Sequence, residues 1–193
     1  MKILHNQTEI LNELERIADR INLENNEKIN KTVKQILEDV KNKGDEALKH
    51  YTLKFDGFNP EPLSVAKQEI EKAWETTSKP LQKALKNAKH RIEKFHEKEI
   101  PKSFSLKGLY GEDVQRKWLP VQKAGLYVPG GRASYPSTVL MNAIPAKVAG
   151  VKEIIMVSPA NTEGEINKTV LAAAHICGIE NIFKVGGAQA IAA

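Results

Sequence analysis

The residues best suited to bind a ligand lie in the stretch GLYVPGGRASYPSTVLMNAIPAKVAG, residues 125–150, which has the pattern of a strand, a glycine-containing loop and a helix. Backbone N–H groups of such a loop can turn toward an anion, and the dipole of the following helix favours negative charge there. Gly130 and Gly131 allow close approach of the backbone, and Tyr127 could stack on a ring or donate a hydrogen bond. The glycine spacing matches neither G-x-G-x-x-G nor the P-loop. Spacing alone therefore leaves open both a nucleotide site and an ordinary tight turn.

The histidines show no pattern of metal ligation. No two of them have the i, i+3 or i+4 spacing that places two ligands on one face of a helix. We therefore predict that each is a surface or structural side chain, which applies to His5, His50, His90, His96 and His175.

The single cysteine is predicted to be a packing residue. Cys177 shares a helical face with Val170 and Ala174, and no activating base is evident in the pattern around it. One cysteine excludes an internal disulfide and is typical of a reducing cytoplasm. Trp74 and Trp118 fit core positions of a helix and a strand, so we assign neither of them to a ligand.

The elements that position these residues differ between the two halves of the sequence. In the first hundred residues apolar side chains recur at helical spacing. We predict Thr8, Ser64 and Ser78 as N-caps of three of these helices. The apolar stripes run over residues 10–18, 29–40, 47–51, 70–74 and 81–95.

From about residue 103 the apolar pattern changes. VQRKWLP alternates from Val114 to Trp118, which predicts a half-buried strand. AGLYV, KEIIMV and NIFKV then follow as strands separated by helices, the second of which ends at Gly178. Strands that alternate with helices predict an α/β fold with a parallel sheet covered on both faces. A last helix begins after Gly187 with six residues remaining, so we expect an incomplete sheet in this sequence.

Composition limits the class of protein. The 193 residues are 41% hydrophobic and 27% charged, which suits a globular protein of one or two domains. The net charge is +5, and no dense basic tract is present, so we do not expect nucleic-acid binding. No apolar run approaches the ~20 residues of a membrane span. The start, MKILHNQTEI, lacks the apolar core of a secretory signal, and we expect a cytoplasmic location.

Longer motifs carry a resemblance to a known family. GLYVPGGRASYPSTVLMNAIPAKVAGVKEIIMVSP and the later AAAHICGIENIFKVGGAQAIAA closely resemble the histidinol dehydrogenases. VKQILEDVKNKGDEALKHYTLKFDG and IEKFHEK upstream match the same family. The resemblance covers essentially the whole sequence but less than half of the family's length.

The resemblance implies a function and two cofactors. Histidinol dehydrogenases are homodimers that oxidise L-histidinol to L-histidine through the aldehyde, using NAD+ in two successive steps and a zinc ion that holds the substrate. Tyr127 and Gln189 match family positions that contact NAD, and by analogy Gly130 and Gly131 shape the cofactor cleft. The family's Glu-His pair and Gln-x-x-His element are absent from this sequence, so we expect no catalytic residue and no zinc ligand within it.

The resemblance also implies a domain organisation. We expect an N-terminal helical arm over residues 1–20 and the first part of an interrupted α/β domain over 21–123. We expect residues 124–193 to begin a Rossmann-like NAD-binding domain. Alone, the sequence is expected to be inactive. The alternative is a non-catalytic module that binds NAD or forms a dimer.

Overall fold

The structure is a computed structural model that describes residues 6–19, 27–130 and 134–193. His5 and Gly131 lie outside the described residues, so the expectations for them stay predictions. In chain order the described elements are α1 (Gln7–Asp19), α2 (Glu27–Lys43), α3 (Asp45–Asp56), α4 (Lys67–Glu75), α5 (Lys79–His96), β1 (Phe104–Lys107), β2 (Asp113–Arg116), β3 (Lys123–Tyr127), α6 (Pro136–Val148), β4 (Glu153–Val157), α7 (Lys168–Ile176), β5 (Asn181–Phe183) and α8 (Gly187–Ala192).

Three of the strands form a parallel sheet in the order β3-β4-β5. Met156 of the central strand lies between Leu126 of β3 and Ile182 of β5. All three side chains are apolar and are buried beneath the helices that cover this face of the sheet. Complete burial of a residue such as Met156 contributes about 1.5–3 kcal/mol to stability.

The outer edge of β5 is paired with an irregular segment. The N–H of Val65 donates to the Ile182 carbonyl at 2.9 Å, and the N–H of Lys184 donates to the Leu63 carbonyl at 2.7 Å. Ser64 forms an antiparallel bridge with Phe183. Residues 63–65 therefore satisfy backbone groups that this edge of the sheet would otherwise expose.

Helices cover both faces of the sheet, as the alternation of strand side chains requires. On the first face Leu126, Met156 and Ile182 contribute to a core that includes residues of α4, α5, α6 and α7. On the second face Tyr127 and Phe183 pack against a smaller core built from α2, α3 and α8. The predicted α/β class, a helical N-terminal region followed by a parallel sheet with helices on both faces, is confirmed.

The predicted half-buried strand around Val114 is different in the structure. β2 ends before Trp118 and pairs antiparallel with β1, which the sequence pattern did not predict. Every residue of the two strands is exposed, and Trp118 is 47% exposed beside the Arg116 guanidinium. The prediction of a core position for Trp118 is wrong. Alternating apolar and polar side chains predict a strand, but they do not show whether another part of the fold packs on its apolar face.

The helix starts also differ in part from the predictions. Asn6, not Thr8, caps α1, since its Oδ1 accepts the Glu9 N–H at 2.9 Å. Ser64 lies in the segment along β5, and Ala66 occupies the N-cap of α4. Ser78 is at the N-cap of α5, although its side chain makes no capping hydrogen bond.

Within the described residues, no helix is both long and apolar enough to cross a membrane.

Candidate functional site

The loops that follow β3, β4 and β5 leave the sheet side by side at its carboxyl edge. The backbone ladder continues past the strand ends, with Val128 N–H donating to the Val157 carbonyl at 2.9 Å. Ser158 N–H likewise donates to the Phe183 carbonyl at 3.1 Å. In open α/β sheets ligands bind in the crevice outside this edge. The predicted site residues are therefore expected at this edge of the sheet.

Tyr127 and Gln189 each contact Gly187 there. The backbone N–H of Gly187 donates to the Tyr127 hydroxyl oxygen at 3.1 Å. A Cβ placed on Gly187 would lie 2.5 Å from Oε1 of Gln189, so the amide lies directly against this glycine. Tyr127 thus contacts a glycine that lies 60 positions later in the chain and two residues before Gln189.

The hydrogen-bonding groups of this corner fit a ligand that has both donors and acceptors. The Tyr127 hydroxyl accepts a hydrogen bond from Gly187, which leaves its own proton free to be donated. Oε1 of Gln189 is buried without a hydrogen-bond partner among the described residues. An unpaired buried acceptor costs about 1–3 kcal/mol, which a donor from a ligand would offset. The ribose hydroxyls and carboxamide of a dinucleotide offer such groups.

Gln189 is more enclosed than a residue in an open cleft. Its side chain is 1% exposed, whereas Tyr127 is half-buried. Gly187 beside it has φ +67°, a conformation that L side chains rarely adopt. A ligand that contacts the Gln189 amide must therefore displace the Gly187 backbone or turn the side chain outward.

Two cavities flank the carboxyl edge. One of about 770 Å³ opens on the second face of the sheet, and its lining includes Tyr127, Val157 and Phe183. The other, of about 240 Å³, is more polar and is lined in part by Gly130 and Ser158. Tyr127 contributes to the first and Gly130 to the second, so the tyrosine predicted to contact NAD and the glycine predicted to shape the cofactor cleft are at different cavities.

The described residues show no metal centre, and the single cysteine is not an activated nucleophile. In residues 6–19, 27–130 and 134–193, no group of three or more His, Cys, Asp or Glu side chains could hold a metal ion, so the described part of the chain does not fit a zinc site. His175 instead stacks on Trp74, with ring centroids 5.7 Å apart. Cys177 is buried as predicted, and burial raises the pKa of its thiol to about 11, which makes it a poor nucleophile at neutral pH.

Fold and site together define an α/β protein with a candidate ligand-binding corner at the carboxyl edge of its parallel sheet. A family model described as histidinol dehydrogenase matches residues 20–193. The chain belongs to the histidinol dehydrogenase family.

Individual relatives agree with this assignment. The chain is 60% identical over 193 residues to a histidinol dehydrogenase of Prochlorococcus marinus, covering 100% of this chain and 44% of the relative. It is 48% identical over 169 residues to one of Agrobacterium fabrum, covering 86% of this chain and 39% of that relative. A crystal structure of histidinol dehydrogenase from Elizabethkingia anophelis superimposes with a TM-score of 0.80 at 38% identity, over 89% of this chain and 38% of that one. The chain thus spans less than half the length of these relatives.

Proposed function

We propose that the full-length protein carrying this sequence is an NAD-dependent histidinol dehydrogenase of histidine biosynthesis. It oxidises L-histidinol to L-histidine through the aldehyde. The observation that supports this most directly is that Tyr127 and Gln189 both contact Gly187, at the carboxyl edge of the sheet, in a chain of this family. The cytoplasm is its proposed location and a homodimer its proposed assembly.

Within this function the present residues bind and orient the dinucleotide. Tyr127, held by the Gly187 N–H, donates its hydroxyl proton to an acceptor on the cofactor. The Gln189 amide oxygen accepts a hydrogen bond once its cover at Gly187 is displaced. When bound, NAD+ supplies the acceptor for the hydride.

The proton chemistry requires residues other than these. Oxidation of an alcohol needs a base within hydrogen-bond reach of the hydroxyl proton. The sequence contains no Glu-His pair and no Gln-x-x-His element, and the described residues offer no metal cluster. The base and the zinc ligands are therefore proposed to come from the part of the relatives' length that this chain does not span.

The test is to express the complete reading frame that contains this sequence and to mix the protein with L-histidinol and NAD+. The expected result is NADH formation that a zinc chelator abolishes and added zinc restores. The 193-residue chain in the same assay is expected to give no NADH above the buffer blank. NAD+ binding by the complete protein without histidinol oxidation would instead support the non-catalytic module.

A further inference from the structure

Pro159 lies where the three loops of the carboxyl edge converge. It follows β4, the central strand, whereas Gly130 follows β3 and Gly186 follows β5. The strand order places the two glycines on opposite sides of the proline. Sequence reasoning did not identify Pro159, because its position is defined only once the strand order is known.

Both glycines are in closer contact with Pro159 than any side chain would permit. A Cβ on Gly186 would lie 2.7 Å from Cβ and 3.0 Å from Cγ of the proline ring. A Cβ on Gly130 would lie 2.6 Å from Cγ of Pro159 and 2.7 Å from its carbonyl oxygen. Neither glycine has positive φ, so the requirement is for space and not for an unusual backbone conformation. The loop after β3 and the loop after β5 are therefore both in van der Waals contact with Pro159.

This contact is continuous with the candidate cofactor corner. Gly186 immediately precedes Gly187, whose N–H donates to Tyr127 and whose Cα lies against Gln189. A shift of Gly186 away from Pro159 therefore moves the backbone that links these two side chains. The proline ring has no rotamers to escape into, so it acts as a rigid spacer.

We propose that Pro159 is a positioning residue, which sets the separation of the β3 and β5 loops and thereby places Tyr127 and Gln189 for binding of the dinucleotide. The inference rests on the proposed NAD-dependent function. Pro159 acts through its two glycine neighbours and is not assigned a contact with substrate.

The test uses the full-length enzyme and a pair of glycine substitutions that differ in one respect. Gly186→Ala places a methyl group against ring atoms of Pro159 alone, whereas Gly130→Ala also meets the Pro159 carbonyl oxygen. Each is expected to raise the KM for NAD+ by on the order of tenfold or more, with a smaller effect on the KM for histidinol. Pro159→Gly alone removes the spacer and is itself expected to raise the KM for NAD+. Combined with Gly186→Ala, whose methyl group then occupies part of the space left by the ring, it is expected to give a KM below that of either single variant. Combined with Gly130→Ala it is not expected to lower the KM, because the contact with the Pro159 carbonyl oxygen remains.

The outcomes separate this inference from the proposed function. If the wild-type enzyme forms no NADH from histidinol and NAD+, the proposed function is wrong and the positioning role is lost with it. If the wild type is active but Pro159→Gly lowers the KM of both glycine variants or of neither, the spacer role is overturned. If Gly186→Ala does not fold, the single Pro159→Gly variant decides: a raised KM for NAD+ at a near-normal melting temperature supports positioning, and an unchanged KM overturns it.

Discussion

Tyr127 combines a packing role with a polar one, and a single substitution separates them. Its ring packs in the core of the second face, while its hydroxyl accepts from the Gly187 N–H at 3.1 Å. Tyr127→Phe keeps the ring and removes only the hydroxyl. Loss of one hydrogen bond of about 0.5–1.5 kcal/mol is expected to raise the KM for NAD+ by roughly two- to tenfold in the full-length enzyme, with the KM for histidinol nearly unchanged. Steady-state kinetics with each substrate varied in turn provides the measurement.

The matched control is the tyrosine of α3. Tyr51 donates its hydroxyl to Asp39 of α2 at 2.6 Å, and this bond holds the pKa of the Asp39 carboxyl well below its usual range. Tyr51→Phe is expected to lower the melting temperature and to leave the KM for NAD+ unchanged. If Tyr127→Phe behaves like Tyr51→Phe, the Tyr127 hydroxyl only anchors Gly187 and does not serve the cofactor.

The individual site residues were predictable to different degrees. Motif resemblance located Tyr127 and Gln189, and the structure shows that they adjoin one glycine. Their contact with NAD stays a prediction. The close approach expected of Gly130 has a partner, Pro159, that no local pattern could supply. Contacts between loops depend on which strands are neighbours, and that information is not contained in a single segment.

At the scale of elements, periodicity located the helices better than it located their partners. The apolar stripe of α2 was predicted, and Ile36 and Val40 of that stripe are buried. The stripe of α1 was predicted equally well, yet Leu11 and Leu14 are 52% and 56% exposed. Phe95, expected in the buried stripe of α5, is 63% exposed. Amphipathic spacing determines which residues share a face, but the surface that covers the face belongs to another part of the molecule.

Helix α3 carries an acidic residue at each end, and only one of them suits the helix dipole. Asp45 lies in the first turn, where negative charge is favourable, whereas Asp56 is the last residue. Burial raises the pKa of Asp56, and its Oδ2 is buried with no hydrogen-bond partner among the described residues. The folded state therefore disfavours the ionised form of this carboxyl. The contribution of Asp56 to the free energy of unfolding is fully present at pH values below the pKa that this carboxyl has in the unfolded chain. It is lost as the pH rises through the higher pKa of the folded state, because only the unfolded state then ionises the carboxyl freely.

Asp56→Asn is accordingly expected to raise the melting temperature at about pH 7 and to have little effect at about pH 3, where the wild-type carboxyl is protonated in both states. Asp45→Asn, at the other end of the same helix, is expected to lower the melting temperature at about pH 7. Thermal unfolding of the three proteins across this pH range tests the argument. A lower melting temperature for Asp56→Asn at neutral pH would show that Asp56 has a partner that compensates for its burial.

At the scale of the whole molecule, the two cores combine segments that are distant in the sequence. Helices α4 and α5, which come before residue 123, share the first face of the sheet with α6 and α7. The core of the first face thus contains residues from both sides of residue 123. The predicted division into residues 21–123 and 124–193 stays a prediction. The α/β class was predictable because it follows from the alternation of strands and helices. The placement of α4 and α5 was not, because their apolar stripes fit any sufficiently large apolar surface.

The β1–β2 hairpin leads to the last prediction, which concerns the association state of the 193-residue chain. Phe104, Leu106 and Val114 share one face of the hairpin and are 51%, 62% and 62% exposed, with Leu106 directly opposite Val114. Ser105 and Lys107 occupy the other face.

Contiguous exposed apolar patches favour association, so we expect the chain to elute as a species larger than a monomer, in a concentration-dependent way. Leu106→Gln is expected to shift this species toward the monomer, whereas Lys107→Gln, on the opposite face, is expected to leave it unchanged. Size-exclusion chromatography with light scattering at several concentrations distinguishes these cases, and a wild-type chain that is monomeric throughout with one sharp unfolding transition would show that the hairpin face needs no cover.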